Sequence, residues 1–260
     1  MKTKNLLALS IASLLVLASC KKDDSHDDHD HNTTTPAPTE GSLKLKFDNR
    51  YGNAALVLNS TNYVNNNDTF KVSKFNYYVT NIKLTAVDNS VYTETESYHL
   101  IKADDVASLT FDLTKIPVKN YKSITFMIGV DSTRNVSGAQ TGALDPAQGH
   151  FWTWNSGYIM AKLEGTSPQS NDINKKIMFH IGGFKGTNNV LKMVTLNFPT
   201  EALVNGTKTS EVLFKADLQE WFAPNTISFA TNSVIHMPGM MANNIAANYA
   251  NMFSVVSVTN

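Results

Sequence analysis

The chain has 260 residues with 22 basic and 22 acidic side chains, so its formal net charge is zero. No basic stripe breaks that balance, which argues against nucleic acid as a partner. A single cysteine excludes a disulfide framework, so a folded domain here must be held by its core alone.

The first 19 residues read as an export signal. Lys2 and Lys4 are followed by an apolar run too short to be kept as a membrane-spanning helix. The run ends in Leu17-Ala18-Ser19-Cys20, which resembles a bacterial lipobox. The resemblance implies cleavage before Cys20, its lipidation, and anchoring to the outer membrane, with the protein either periplasmic or surface-exposed. Several acyl chains on one residue anchor stably, where one would not. Lys21-Lys22-Asp23-Asp24 resembles a surface-export signal of Bacteroidetes lipoproteins. Losing Lys2 and Lys4 would leave 20 basic against 22 acidic residues, close to neutral.

Residues 20–40 read as a tether. Asp23, Asp24, Asp27, Asp28 and Asp30 alternate with His26, His29 and His31, and a Thr/Pro-rich stretch follows. Such a segment buries too little apolar surface to fold. Its imidazoles and carboxylates would bind divalent metal weakly, without fixed geometry; a solvated spacer is the simpler reading.

Residues 41–260 suffice for one domain with a sizeable core. Alternating or β-branched runs at 43–47, 75–84, 123–130, 192–198 and 212–218 predict strands. Asn, Asp, Ser and Gly clusters at 59–68, 88–90, 166–174 and 185–189 predict the turns between them. From Pro238 onward, Met241, Ile245, Asn248 or Tyr249, and Met252 recur at helical spacing, and residues 253–258 read as a last strand. The expectation is an all-β, antiparallel β-sandwich with a short C-terminal helix.

Three segments carry the chemistry. In His150-Phe151-Trp152-Thr153-Trp154, an extended chain would project His150, Trp152 and Trp154 to one side. The bland alternative is that paired tryptophans belong to the core. In Ile177-Met178-Phe179-His180-Ile181-Gly182-Gly183, the odd positions form an apolar face, which puts Met178, His180 and Gly182 on the other. His236-Met237-Pro238-Gly239-Met240-Met241 combines a histidine with three methionines at a helix entrance, where methionine can equally be core filler. Imidazole, thioether and indole without a free thiolate suit a soft metal, most simply copper. His99 has no soft neighbour and reads as structural or solvated. Asp131 and Asp145 read as caps of backbone amides. No nucleophile elbow, phosphate loop or zinc-protease signature occurs, and the adjacent Asp104 and Asp105 would point apart.

The stretch 144–165 resembles a signature of the MbnP-like proteins, the methanobactin-associated periplasmic copper-binding proteins. Residues 75–84, Ile128-Gly129-Val130-Asp131, Phe179-His180-Ile181-Gly182-Gly183 and 240–253 are similar to the same family, so the likeness spans about residues 41–255. It implies a β-sandwich that binds copper beside a di-haem cytochrome c peroxidase-like partner. It also implies that one tryptophan is oxidised to kynurenine and joins a histidine in holding the metal. Carried over, the modified residue is Trp152 or Trp154 and the histidine is His180; His150 stands where the family pattern has methionine.

The expected protein is therefore a lipid-anchored binder of one Cu(I) ion for acquisition, storage or delivery, and not an enzyme. Its candidate ligands are His180, His236, Met178 or Met240, with His150 as a further donor. Trp152 and Trp154 would shield the metal or, after oxidation, ligate it. The alternative is a lipoprotein module that binds glycan or peptide on exposed Trp152, Trp154 and Trp221, without a specific metal site.

Overall fold

The computed structural model describes residues 36–138, 140–154 and 157–260. The signal segment, Cys20 and the His/Asp tether lie outside them. Residues 37–260 make one compact unit built of two sheets and two helices. Among the described residues no helix is long and apolar enough to cross a membrane.

The smaller sheet centres on Glu40–Tyr51, whose alternating residues Leu43, Leu45 and Phe47 are buried. It pairs with Ser210–Asp217 on one side and with Thr110–Pro117 and Ala54–Ala55 on the other. Phe253–Thr259 then closes the edge against Ser210–Asp217. The larger sheet runs Lys192–Val204, Lys119–Ile128, Asp68–Ala86, Gly157–Thr166, Lys176–Gly182, Val234–Ile235. Its spine is Asp68–Ala86, nineteen residues long, which also takes up Tyr63–Asn65, Val91–Thr93 and Tyr98–Lys102.

Two pairings depart from the expected antiparallel pattern. Glu40–Tyr51 with Ser210–Asp217, and Lys176–Gly182 with Val234–Ile235, are parallel. Neither was legible from local periodicity, because parallel partners are joined through long connections that a period-2 pattern does not encode. The helix was legible: Met240–Tyr249 buries Ala242, Ile245, Ala246 and Tyr249, and Phe253–Thr259 follows it as the last strand.

The two sheets meet through aromatic rings. Phe126 of the larger sheet stands edge-on to Phe253 of the smaller at 5.0 Å between centroids, and Phe47 meets Tyr77 at 6.4 Å. Each such fully buried side chain contributes about 1.5–3 kcal/mol by leaving water, and edge-on rings add about 0.5–1.5 kcal/mol. Trp221 is wholly buried here, its indole N–H directed at Met252 Sδ at 3.2 Å. That removes it as the exposed stacking platform the glycan or peptide reading requires.

The opposite face of the larger sheet is different in kind. On Gly157–Thr166, Lys162 and Glu164 alternate with buried apolar residues, and the register sets Asn76, Lys162 and His180 side by side across three strands. Lys74, Glu164 and Met178 form the next row. The irregular chain before Gly157 covers part of this face and carries the two tryptophans.

Candidate metal centre

The covering chain is tied down by buried hydroxyls. Tyr78 donates to the Ala143 carbonyl at 2.9 Å, and Tyr158 to the Leu144 carbonyl at 2.7 Å. Asp145 then caps a short 3-10 turn by accepting from the Ala147 N–H, as its sequence context predicts; Asp131 caps Ser132–Asn135 in the same way. Lys162 donates to the Gly149 carbonyl at 2.6 Å, pinning the chain just before His150.

His150 is almost fully buried, and both of its ring nitrogens are engaged by the protein. Nδ1 lies 3.0 Å from the Ile159 carbonyl and Nε2 lies 3.3 Å from Asn76 Nδ2. Burial, reinforced by the positive charge of Lys162, pushes its pKa down to about 3, so the ring is neutral. A neutral ring carries one proton. Nδ1–H therefore donates to Ile159 and Nε2 accepts from Asn76. This arrangement departs from the expectation that His150 is a metal donor, because no lone pair is left over; it anchors the covering chain instead.

Phe151–Trp152 pairs briefly with Gly157-Tyr158, and the chain turns at Thr153 and Trp154. The strand is thus shorter than an extended reading of residues 150–154 predicts. The two indoles nonetheless lie together, 5.2 Å between centroids. Trp152 is 6% exposed and Trp154 56%. Trp152 lies against Gly182, where a Cβ would come within 2.5 Å of its ring, so only glycine admits the indole there. The next residue, Gly183 at φ +123°, adopts a backbone conformation open to glycine and brings the strand end against Asn188 and Pro238.

His180 sits two residues before Gly182 on the same face of Lys176–Gly182, as the alternation predicts; Ile177, Phe179 and Ile181 are buried beneath. Its Nε2 lies 2.8 Å from Glu164 Oε1. Glu164 is held by His180 and two lysines. The His180 hydrogen bond, with Lys74 at 3.6 Å and Lys162 at 3.9 Å, takes its pKa down to about 2, so it is a carboxylate at any ordinary pH. Lys162 itself is pushed below the usual lysine value by burial, partly offset by Glu164.

The parallel pairing of Met178 with Val234 and of Phe179 with Ile235 brings the second histidine to the same level. His180 follows on its strand, and His236 directly follows the last residue of Val234–Ile235. Beyond them the two chains diverge into the walls of an open pocket of about 410 Å³. Trp152, Trp154 and Tyr158 form one side, Gly183, Phe184 and Lys185 another, and Met237 with Pro238 the third.

Trp152, Trp154 and Met237 thus line the pocket, while His180 and the exposed His236 lie on the chains that lead to it and are not among its lining residues. Met178 shares His180's face, one row away, whereas Met240 is 74% exposed at the helix start and Met237 is the thioether that lines the pocket. Among the described residues no three His, Cys, Asp or Glu side chains stand together as a ready-made metal cage. The thioether of Met237 and the indole pair line the pocket, and the two imidazoles lie on the adjoining chains.

Glu164, Lys162 and Asn76 were not singled out from the sequence, and Met237 was named there as one of three methionines beside His236, with Met240 taken as the candidate ligand. For the first two a signal existed: Lys162-Leu163-Glu164 puts charges at alternate positions of an otherwise apolar strand. His99, by contrast, is structural, stacked on Phe111 at 3.6 Å and paired with Glu94 at 2.9 Å.

No curated protein matches the chain in sequence. Among solved structures, MbnP from Methylosinus trichosporium matches with a TM-score of 0.52 at 12% identity, covering 78% of this chain and 84% of that one. At that identity the likeness speaks for the shared sandwich alone. The family model MbnP, however, matches residues 40–241, from the first strand of the smaller sheet to the start of the C-terminal helix, and the chain belongs to the MbnP family.

Proposed function

We propose that this protein binds one copper ion, as Cu(I), at the tryptophan-walled end of the larger sheet, for acquisition, storage or delivery of the metal. The observation that carries the reading is the parallel pairing of Met178-Phe179 with Val234-Ile235, after which His180 and His236 each come next in the chain, close in sequence to the pocket residues Gly183, Met237 and Pro238. His180 and His236 would hold the ion with Met237 or Met178 as thioether. Copper bound there supplies one-electron redox capacity, and the indole wall limits access of water and oxidant to it.

Trp152 is the better placed of the two tryptophans to become a ligand. It packs on Gly182, two residues along the same face from His180. Oxidation to kynurenine would convert a poor donor into a good one. Two peroxide equivalents insert two oxygen atoms across the indole C2–C3 bond and leave as water. Hydrolysis then releases formate and frees an aryl amine. A di-haem cytochrome c peroxidase-like partner would activate the peroxide. The exposed Trp154 ring, 5.2 Å from Trp152, offers that partner an electron-accepting path to the buried one.

Lipidation at Cys20 would hold the domain at the outer membrane, with the residues between Cys20 and the compact unit at Ala37 as the spacer. The glycan or peptide reading keeps one exposed tryptophan of its three, since Trp152 and Trp221 are buried. The test is metal analysis and peptide mass spectrometry on protein from copper-supplemented cells, with and without a co-produced di-haem peroxidase. The reading expects about one copper per chain, and a kynurenine in the peptide carrying residues 150–158 when the peroxidase is present. Copper absent under both conditions would sink it.

A further inference from the structure

We propose that Glu164 is a positioning residue of the copper site, holding His180 as its Nε2–H tautomer so that Nδ1 is the atom that meets the metal. The inference rests on the copper reading above and adds which atom binds and what fixes it.

The argument is one of proton accounting. A carboxylate has only acceptor sites, so the 2.8 Å contact between Glu164 Oε1 and His180 Nε2 requires the proton to reside on Nε2. An imidazole that carries one N–H has a lone pair on its second nitrogen, the form a metal requires. The hydrogen bonds among the described residues leave Nδ1 unengaged, whereas the buried His150 on the same face spends both nitrogens on the protein. The sheet thus carries two histidines with opposite fates. One is locked as a structural tie, and the other keeps one nitrogen free with the proton parked on a fixed acceptor.

Glu164 is itself well held. It lies on Gly157–Thr166, opposite Met178 and two residues along from the Lys162–His180 pair on the same face, with Lys74 and Lys162 near its oxygens. A carboxylate behind a ligating imidazole orients the ring and raises its basicity, and removing such a partner costs about 10- to 100-fold in metal affinity. Among the described residues His180 has no other side-chain hydrogen-bond partner. Lys74 and Lys162 are donors and cannot accept its proton.

The test uses the protein with His26, His29 and His31 replaced by alanine, so that only the folded unit responds. Long-range proton–nitrogen NMR of the metal-free protein at neutral pH should show His180 protonated on Nε2. In Glu164→Gln the two tautomers should mix, because the amide can donate as well as accept. Added Cu(I) should then shift the His180 Nδ1 resonance. A competition titration should show Glu164→Gln weakened about 10- to 100-fold, with Glu164→Asp recovering part of the loss. An Nδ1–H tautomer in the metal-free protein, a Cu(I)-induced shift at Nε2, or a Glu164→Gln affinity equal to the parent's would overturn the inference. His180→Ala separates the two levels of the account. If it weakens Cu(I) binding while Glu164→Gln does not, the positioning role alone fails. If His180→Ala leaves affinity unchanged, the copper reading at this histidine fails with it.

Discussion

The two faces of the larger sheet use the same strands for opposite ends. The inner face is a continuous aromatic seam, with Tyr77 and Phe126 against Phe47, Phe214 and Phe253 of the smaller sheet. The outer face, one residue along each strand, carries Asn76, Lys162, Glu164 and His180 beneath an irregular covering chain. On the first face stability comes from apolar area removed from water and tolerates no gap. On the second it depends on each polar group finding its partner, since a buried polar atom left alone costs about 1–3 kcal/mol. A β-strand allows this division because its side chains alternate, so one stretch of sequence can build a core and a site at once.

The largest expected effect breaks the first face. Phe126→Ala should cost about 3–5 kcal/mol of unfolding free energy, the cost of emptying a well-packed aromatic position. Urea unfolding would check it; a loss under about 1 kcal/mol would mean the seam is loosely packed.

Breaking the second face should cost less but reach the site. His150→Ala strands Asn76 Nδ2 and the Ile159 carbonyl, and should cost about 2–3 kcal/mol. Because His150 ties down the covering chain, the Trp152 and Trp154 fluorescence should shift to the red at the same time. Loss of stability without that shift would show that the chain is held by Tyr78, Tyr158 and Lys162 alone.

Acid separates the faces without mutation, since only the outer one titrates. His150 has a folded pKa of about 3 against an ordinary 6.5, so the unfolded chain binds a proton that the folded one refuses. Its contribution is therefore complete above about pH 6.5 and declines as pH falls toward 3, at most about 1.4 kcal/mol per pH unit. Glu164, taken down from 4.5 to about 2, adds loss in the same direction below pH 4.5. Unfolding midpoints measured from pH 7 to pH 4 should fall, and His150→Gln should flatten the curve above pH 4.5. Stability that stays level over that range would refute the neutral buried imidazole.

The smallest effect falls on the exposed indole. Trp154→Ala should change stability by no more than about 0.5 kcal/mol, as expected for a surface position. It should instead slow oxidation of Trp152 by a co-produced peroxidase. An unaltered rate would remove Trp154 from that path.

Much of this division was legible in the sequence, for physical reasons. The alternation at 177–181 gave both the buried face and the exposed one, and Asp131 and Asp145 declared themselves as caps through their turn contexts. Other features depended on tertiary pairing. Nothing local to His236 says that Val234–Ile235 joins Lys176–Gly182 in parallel, yet that pairing brings the two histidines level. His150 looked like a donor because its neighbours are tryptophans. Its true partners, Asn76 and Ile159, come from other strands. Met237 and Met240 are indistinguishable in the sequence, and only the helix start at Met240 decides which lines the pocket.

The central claim is that His180 carries a copper ion in the folded unit. The most direct test is a Cu(I) competition titration of the protein lacking His26, His29 and His31, run beside the same protein with His180→Ala. The account predicts one tight equivalent in the first, in protein co-produced with the peroxidase, and an affinity lower by orders of magnitude in the second. Equal affinities, or no tight equivalent in the first, would contradict it.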